Sequence, residues 1–294
     1  MKVSIVGYGN LGKSLEKEIE RDNGLELEAI YSRRSLDNAK YRPLKQIEND
    51  GETEVMLIAL GSYADVRSYV RPLAKFDTVD SFDTHAAFEE YKKELTVANG
   101  ERIALVGLGW DPGLLSVIRG TLGLDDTPVT VWGKGISHGH SNAVRSVAGV
   151  IDAVQFTVPK EDCEKLIDAG ERDVKKLHDR VCYVACVESD REEIERQIRG
   201  MTNYFAGYDV RVEFVSPQEV RELKKDTSHR GQVYCIGEGY KATTDLTLRC
   251  NTELTAKVML KYARAVPQLK KDGFTGALDA FDVPLRYVAN RGLI

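Results

Sequence analysis

The chain has 294 residues, 42% hydrophobic and 30% charged, a content too apolar for a disordered chain and a length that calls for one large or two modest domains. Its formal net charge of −5, from 46 acidic and 41 basic residues, argues against a general nucleic-acid footprint while leaving room for a local basic pocket. No apolar run reaches membrane-spanning length, and the opening Lys followed by Val-Ser-Ile-Val-Gly does not read as a signal peptide.

Residues 3–6 read as a short buried strand. Residues 10–21 read as a helix, with Leu11, Leu15 and Ile19 four apart. Further strands are expected at 27–31, 55–60, 78–81 and 103–107, with helices at 65–74 and 88–98. Strands alternating with helices predict a right-handed parallel α/β sheet, a Rossmann-type dinucleotide-binding domain over residues 1–118. After Gly120 the pattern changes to longer, more alternating strands at 128–132, 153–159, 180–187, 210–215, 232–237 and 245–250, with a helix at 190–200. This predicts an α+β domain over 119–252, one helical layer on a mostly antiparallel sheet. Residues 253–269 read as one helix, with Leu254, Val258 and Tyr262 on one face, and 253–294 is expected to pack back onto the first domain. The five cysteines, an odd number without a dense framework, fit reduced thiols and a cytoplasmic location. Cys182 and Cys186 lie in an apolar β-rich run and read as buried strand thiols.

The first strand runs into Gly7-Tyr8-Gly9-Asn10-Leu11-Gly12, a G-x-G-x-x-G turn opening a helix. Gly7 permits the tight turn, Gly9 the approach of a pyrophosphate, and Gly12 close packing of helix on strand, with the helix N–H groups facing the phosphate charge. About 20 positions on, where an NAD site usually carries an acid, the chain has Ser32-Arg33-Arg34. Two guanidinium groups suit the 2′-phosphate of NADP. Gly61, Ser62, Tyr63 and Ala64 follow the third strand and are expected alongside the cofactor. The next strand ends carry Ser81-Phe82-Asp83 and Leu108-Gly109-Trp110-Asp111-Pro112-Gly113. Asp83 and Asp111 can orient an ammonium group or take its proton. A helix N-cap is the plainer role for Asp111 before Pro112.

These segments, with the later Gly139-His140-Ser141, resemble meso-diaminopimelate dehydrogenase over nearly the whole chain. The resemblance implies a homodimer that uses NADP to deaminate the D-centre of meso-2,6-diaminopimelate oxidatively, or runs in reverse as reductive amination toward lysine. It implies NADP contacts from Tyr8–Leu11, Ser32–Arg34, Gly61–Ala64, Ser81–Asp83 and Leu108–Pro112. It gives Asp83 and Asp111 the reacting amino group, Trp132 a pocket wall, and Thr157, Arg180, His229 and Asn251 the polar ends of the substrate. His229 lies in what reads as a polar loop before a strand. His138 stands where the family carries an amide, which changes a substrate contact and creates a His-x-His pair; no third ligand at suitable spacing follows, and no metal is expected. Which Asp is the base stays open. Two rival readings share the fold: an NADP-dependent dehydrogenase or reductase of another small amino acid or imine, and a non-catalytic NADPH-sensing protein.

Overall fold

The structure, a computed structural model, describes residues 1–61, 65–84, 87–124, 127–202 and 204–289. The chain divides into two compact units, Met1–Val117 with Thr252–Ile294, and Ile118–Asn251.

The first unit is built on a seven-stranded sheet. Its strands are β1 (Lys2–Val6), β2 (Glu26–Ser32), β3 (Tyr41–Pro43), β4 (Val55–Ile58), β5 (Asp77–Asp80), β6 (Ile103–Leu105) and a last strand, Gly276–Leu278. The order is Gly276–Leu278, β6, β5, β4, β1, β2, β3, and every pairing is parallel. Both faces of such a sheet are covered, so its central strands need apolar residues on both sides. Val3, Ile5, Val55 and Leu57 face one cluster, built with Leu15 and Ile19 of the Asn10–Glu20 helix and with Met259 and Leu269. Val6, Met56 and Ile58 face the other, built with Tyr91 and Leu95 of the Phe88–Asn99 helix.

Two expected helices are each broken. The 253–269 helix is two, Asn251–Ala263 and Val266–Lys271, with Pro267 in the first turn of the second. Proline lacks the N–H that would continue the first helix and is suited to starting another. The 65–74 helix is a 3-10 turn at Val66–Tyr69 followed by Val70–Leu73, for the same reason at Pro72. β3 and Gly276–Leu278 have three residues each, too short for a hydrophobic period to register.

The second unit holds two sheets where sequence predicts one. Its strands are β7 (Val129–Trp132), β8 (Gly135–Ile136), β9 (Val150–Pro159), β10 (His178–Cys186), β11 (Asp209–Phe214), β12 (His229–Gly237) and β13 (Tyr240–Leu248). One sheet runs β11-β10-β9-β8 and the other β13-β12-β7; β10 and β11 pair parallel, the rest antiparallel. The chain changes sheet at Gly133, whose φ is +106° and where a Cβ would lie 2.2 Å from the Thr157 carbonyl oxygen. Only glycine fits that crossing. Nor is there one helical layer. Val144, Ile194 and Ile198 cover one face of the four-stranded sheet, and Val220 of the Pro217–Leu223 helix covers the other. His229 is no loop residue: it opens β12, opposite Leu248. Cys182 is buried, Cys186 half-buried, and both are free thiols; burial pushes the Cys182 thiol up to about 12. Among the described residues, no helix is long and apolar enough to cross a membrane.

Candidate active site

Gly7 has φ +99°, and a Cβ there would lie 2.6 Å from the Ala59 carbonyl oxygen. A Cβ on Gly12 would lie 2.3 Å from the Gly7 carbonyl oxygen, whereas one on Gly9 would meet nothing within 4 Å. Gly7 and Gly12 are therefore imposed by the protein's own backbone, and Gly9 leaves bare backbone on the outer side of the turn. The Asn10–Glu20 helix has no side-chain cap and no acid in its first turn. Its first N–H groups are thus left for an anion. The turn suits a pyrophosphate. Tyr8 and Leu11 are half-buried, and the Tyr8 hydroxyl donates to Glu16, which also accepts from Asn38 at 2.7 Å.

Ser32 is buried at the end of β2, and its hydroxyl accepts the Arg34 N–H at 3.1 Å. The Arg34 guanidinium reaches the Tyr8 carbonyl at 3.4 Å, so it leans over the glycine turn. Arg33 makes a bidentate pair with Asp65, both contacts 2.9 Å. Asp65 is an acid that motif reading does not single out, because it belongs to no motif. Gly61 precedes it, exposed, while Ser62, Tyr63 and Ala64 lie outside the described residues.

The two aspartate loops share one organiser, and it is a third aspartate. Asp80, at the end of β5, is wholly buried. Its Oδ1 accepts N–H groups from Phe82 and Gly107, each at 2.9 Å, and its Oδ2 accepts the Tyr91 hydroxyl at 2.9 Å. Its backbone carbonyl takes the Leu108 N–H at 2.8 Å. The loop carrying Asp83 and the loop carrying Asp111 are therefore tied to the same residue. Burial raises the Asp80 carboxyl above its ordinary range, opposed by the two N–H donors, and burial beside Asp80 raises Tyr91 well above its own. Phe82 stacks on Tyr91 at 4.3 Å, and Phe82 and Leu108 sit in the core, so the backbone is what these two offer a cofactor. Trp110 is buried, Asp111 half-buried and Asp83 exposed. The Gly109–Pro112 loop closes on itself through Gly109 N–H to the Pro112 carbonyl at 2.9 Å. The helix beyond begins at Leu114, three residues past Asp111.

In the second unit, register aligns the expected substrate residues. Gly135, Thr157 and Arg180 are cross-strand neighbours on β8, β9 and β10. The His229 imidazole packs on Gly135, where a Cβ would fall 2.2 Å from its ring. Arg180 donates to the Thr157 hydroxyl, and its guanidinium lies 4.1 Å from the Tyr208 ring centroid. It is 7% exposed, its Nε has no hydrogen-bond partner, and among the described residues no carboxylate pairs with it. A buried, unpaired cation is costly unless an anion completes it. The buried Gln155, two residues from Thr157, likewise has an unpartnered Oε1. Asn251 donates its N–H to the Thr227 carbonyl at 3.2 Å, and Thr227 lies two residues before His229 along the chain. His138 is exposed at the start of the His138–Arg145 helix. His140 is engaged at both ring nitrogens, by the Ser137 hydroxyl at 2.6 Å and the Tyr204 carbonyl at 3.2 Å. Trp132 is half-buried, its N–H held by His178 at 2.9 Å. Tyr208, Gln155 and His178 carry no sequence signal, because a core polar residue looks like a surface one until its neighbours are known.

A family model for the diaminopimelic acid dehydrogenase C-terminal domain matches residues 109–254. A meso-diaminopimelate D-dehydrogenase of Acetivibrio thermocellus is 36% identical, over 98% of this chain and 94% of that protein. The solved structure of a Corynebacterium glutamicum DAP dehydrogenase in complex with DAP has a TM-score of 0.90 at 32% identity, over 99% of this chain and 96% of that one. An engineered D-amino acid dehydrogenase bound to NADP+ has a TM-score of 0.88 at 31% identity, over 100% of this chain and 97% of that one.

Replacing Asp80 with Ala leaves three donors unpaired in the core and should destabilise the protein by about 3 kcal/mol or more. Asp80→Asn keeps an acceptor for both N–H groups and should retain most of the stability. Denaturant unfolding measures both, and an Ala variant as stable as the Asn variant would rule out the clamp. A second expectation concerns pH. Burial lowers His140 and His178 from 6.5 to about 4. Between those values the unfolded chain binds more protons than the folded one, so stability falls as pH drops from 6.5 through about 4 and is full above 6.5. Melting temperatures across that window should fall less steeply for a His140→Gln, His178→Gln double variant; parallel curves would refute this.

Proposed function

The chain belongs to the meso-diaminopimelate D-dehydrogenase family, and we propose that it catalyses that reaction: NADP-dependent conversion of the D-centre of meso-2,6-diaminopimelate, with water, to L-2-amino-6-oxopimelate, ammonia and NADPH. In reverse it is a reductive amination in lysine biosynthesis. The observation that carries this reading is Arg180, a buried guanidinium on a hydroxyl and an aromatic face with no carboxylate of its own among the described residues. The substrate supplies carboxylates at both ends, and a guanidinium takes one bidentately.

The glycine turn suits the pyrophosphate, and Arg34 over that turn, with Arg33 beside Asp65, reads the 2′-phosphate. When bound, NADP+ accepts the hydride; the protein supplies placement and charge. Asp83 and Asp111 attract the ammonium at the reacting carbon, and one of them takes its proton. Thr157 and Arg180 hold a carboxylate, Trp132 walls the pocket, and His138, His229 and Asn251 add polar contacts to the amino-acid end that does not react. Secure grip there matters because hydride transfer is sensitive to misplacement of about an ångström. The same reading includes a homodimer, checked by light scattering, and a cytoplasmic location, which the five free thiols support.

Purified protein should reduce NADP+ with meso-diaminopimelate and be far slower with the L,L isomer, which lacks a D-centre. Turnover of another amino acid with none of the meso isomer would overturn the substrate assignment; tight NADPH binding with no turnover of any amine would favour a sensor. Replacing Arg33 and Arg34 with Ala should weaken NADP(H) by roughly ten- to a hundredfold and NAD(H) far less. Equal losses would mean that neither reads the phosphate.

A further inference from the structure

His178 is 1% exposed and bonds one sheet of the second unit to the other. It opens β10 of the four-stranded sheet, yet its Nε2 accepts the N–H of Trp132 at 2.9 Å on β7 of the three-stranded sheet. β7 is an edge strand, and in its pairing with β12 the neighbouring Gly133 N–H points to β12, bonding the Arg230 carbonyl at 2.7 Å. The Trp132 N–H therefore points to the open side, where among the described residues no strand pairs with β7. A buried N–H without a partner is costly, and the imidazole removes that cost.

The other ring nitrogen, Nδ1, lies 2.7 Å from the Val174 carbonyl, an acceptor only. The two contacts select one form of the ring: neutral, with its proton on Nδ1. The indole and imidazole centroids are 5.6 Å apart, so the contact extends to the Trp132 side chain. His178 and Arg180 stand two apart on β10, on one face of the strand, and both are buried. One strand thus carries the guanidinium and the imidazole that bonds the Trp132 backbone and lies beside its indole.

We propose that His178 is a positioning residue: by fixing the backbone and ring of Trp132 relative to Arg180, it sets how well the second unit holds the amino acid. The inference rests on the diaminopimelate reading above and goes beyond it by naming what orients the pocket wall.

The test uses the full chain with meso-diaminopimelate and NADP+. His178→Leu keeps volume and loses the acceptor; His178→Gln keeps an acceptor and a donor. The Leu variant should raise KM for meso-diaminopimelate by about fivefold or more while KM for NADP+ stays within about twofold. The Gln variant should recover most of the loss. Trp110 and Trp132 are the two tryptophans of the chain. Tryptophan emission of the full chain should change when meso-diaminopimelate is added, and the change should differ in the Leu variant but not in the Gln variant. A folded Leu variant with unchanged KM for the amino acid overturns the proposal, as does an equal rise in both KM values, which is plain loosening. Should the Leu variant fail to fold, tryptophan emission unmoved by saturating amino acid, or a Gln variant with a large KM defect, overturns it equally. Absence of turnover by the unsubstituted protein removes the diaminopimelate reading and this inference with it; normal turnover with an indifferent His178→Leu removes the inference alone.

Discussion

What the first unit presents after β5 and β6 passes through the buried carboxylate of Asp80. It holds three donors from three chain segments: the loop after β5, the loop after β6 and the Phe88–Asn99 helix. A carboxylate buried this deeply is unfavourable unless its acceptors are filled, and here the donors filling them are the backbone of the loops carrying Asp83 and Asp111. The requirement to satisfy one buried charge thereby fixes two loops. The positions of the candidate acid and base follow from hydrogen-bond satisfaction rather than from packing of their own exposed or half-buried side chains.

The second unit turns the same physics around. Among the described residues Arg180 is buried with an unfilled donor, so the unit carries a cation that a carboxylate could complete. The cross-strand row of Gly135, Thr157 and Arg180 gives that cation a rigid address. Gly135 has to lack a side chain because the His229 ring occupies the space, which places the imidazole at the end of the same row. His178 holds Trp132 by meeting a backbone N–H that the edge of a sheet leaves open. The candidate binding residues in this unit are thus set by strand register and edge satisfaction, both of which resist drift.

The charges around the two arginines proposed to read the 2′-phosphate are finely balanced. Arg33 already shares its charge with Asp65, whereas Arg34 is anchored through Ser32 and reaches across the glycine turn. A phosphate arriving there competes with a carboxylate at one guanidinium and meets the other already directed over the turn.

The amino-acid sequence alone determined what depends on neighbours along the chain. The glycine turn is legible because its strand, turn and helix are contiguous, and the parallel sheet because buried strands such as Val55–Ile58 are apolar without interruption. The Ser32-Arg33-Arg34 signal is legible because its place is counted from the glycines. Tertiary structure decided what depends on distant residues. Asp80 reads as an ordinary strand-end acid until Gly107, 27 residues away, is seen donating to it. The three-residue strand Gly276–Leu278 exists only because β6 offers it an edge. The split of the second unit into two sheets turns on Gly133 meeting a carbonyl of β9, and His229 becomes a strand residue only by pairing with Leu248. Local sequence encodes turns and periods; the satisfaction of buried polar groups is a property of the whole fold, and there the remaining determinants lie.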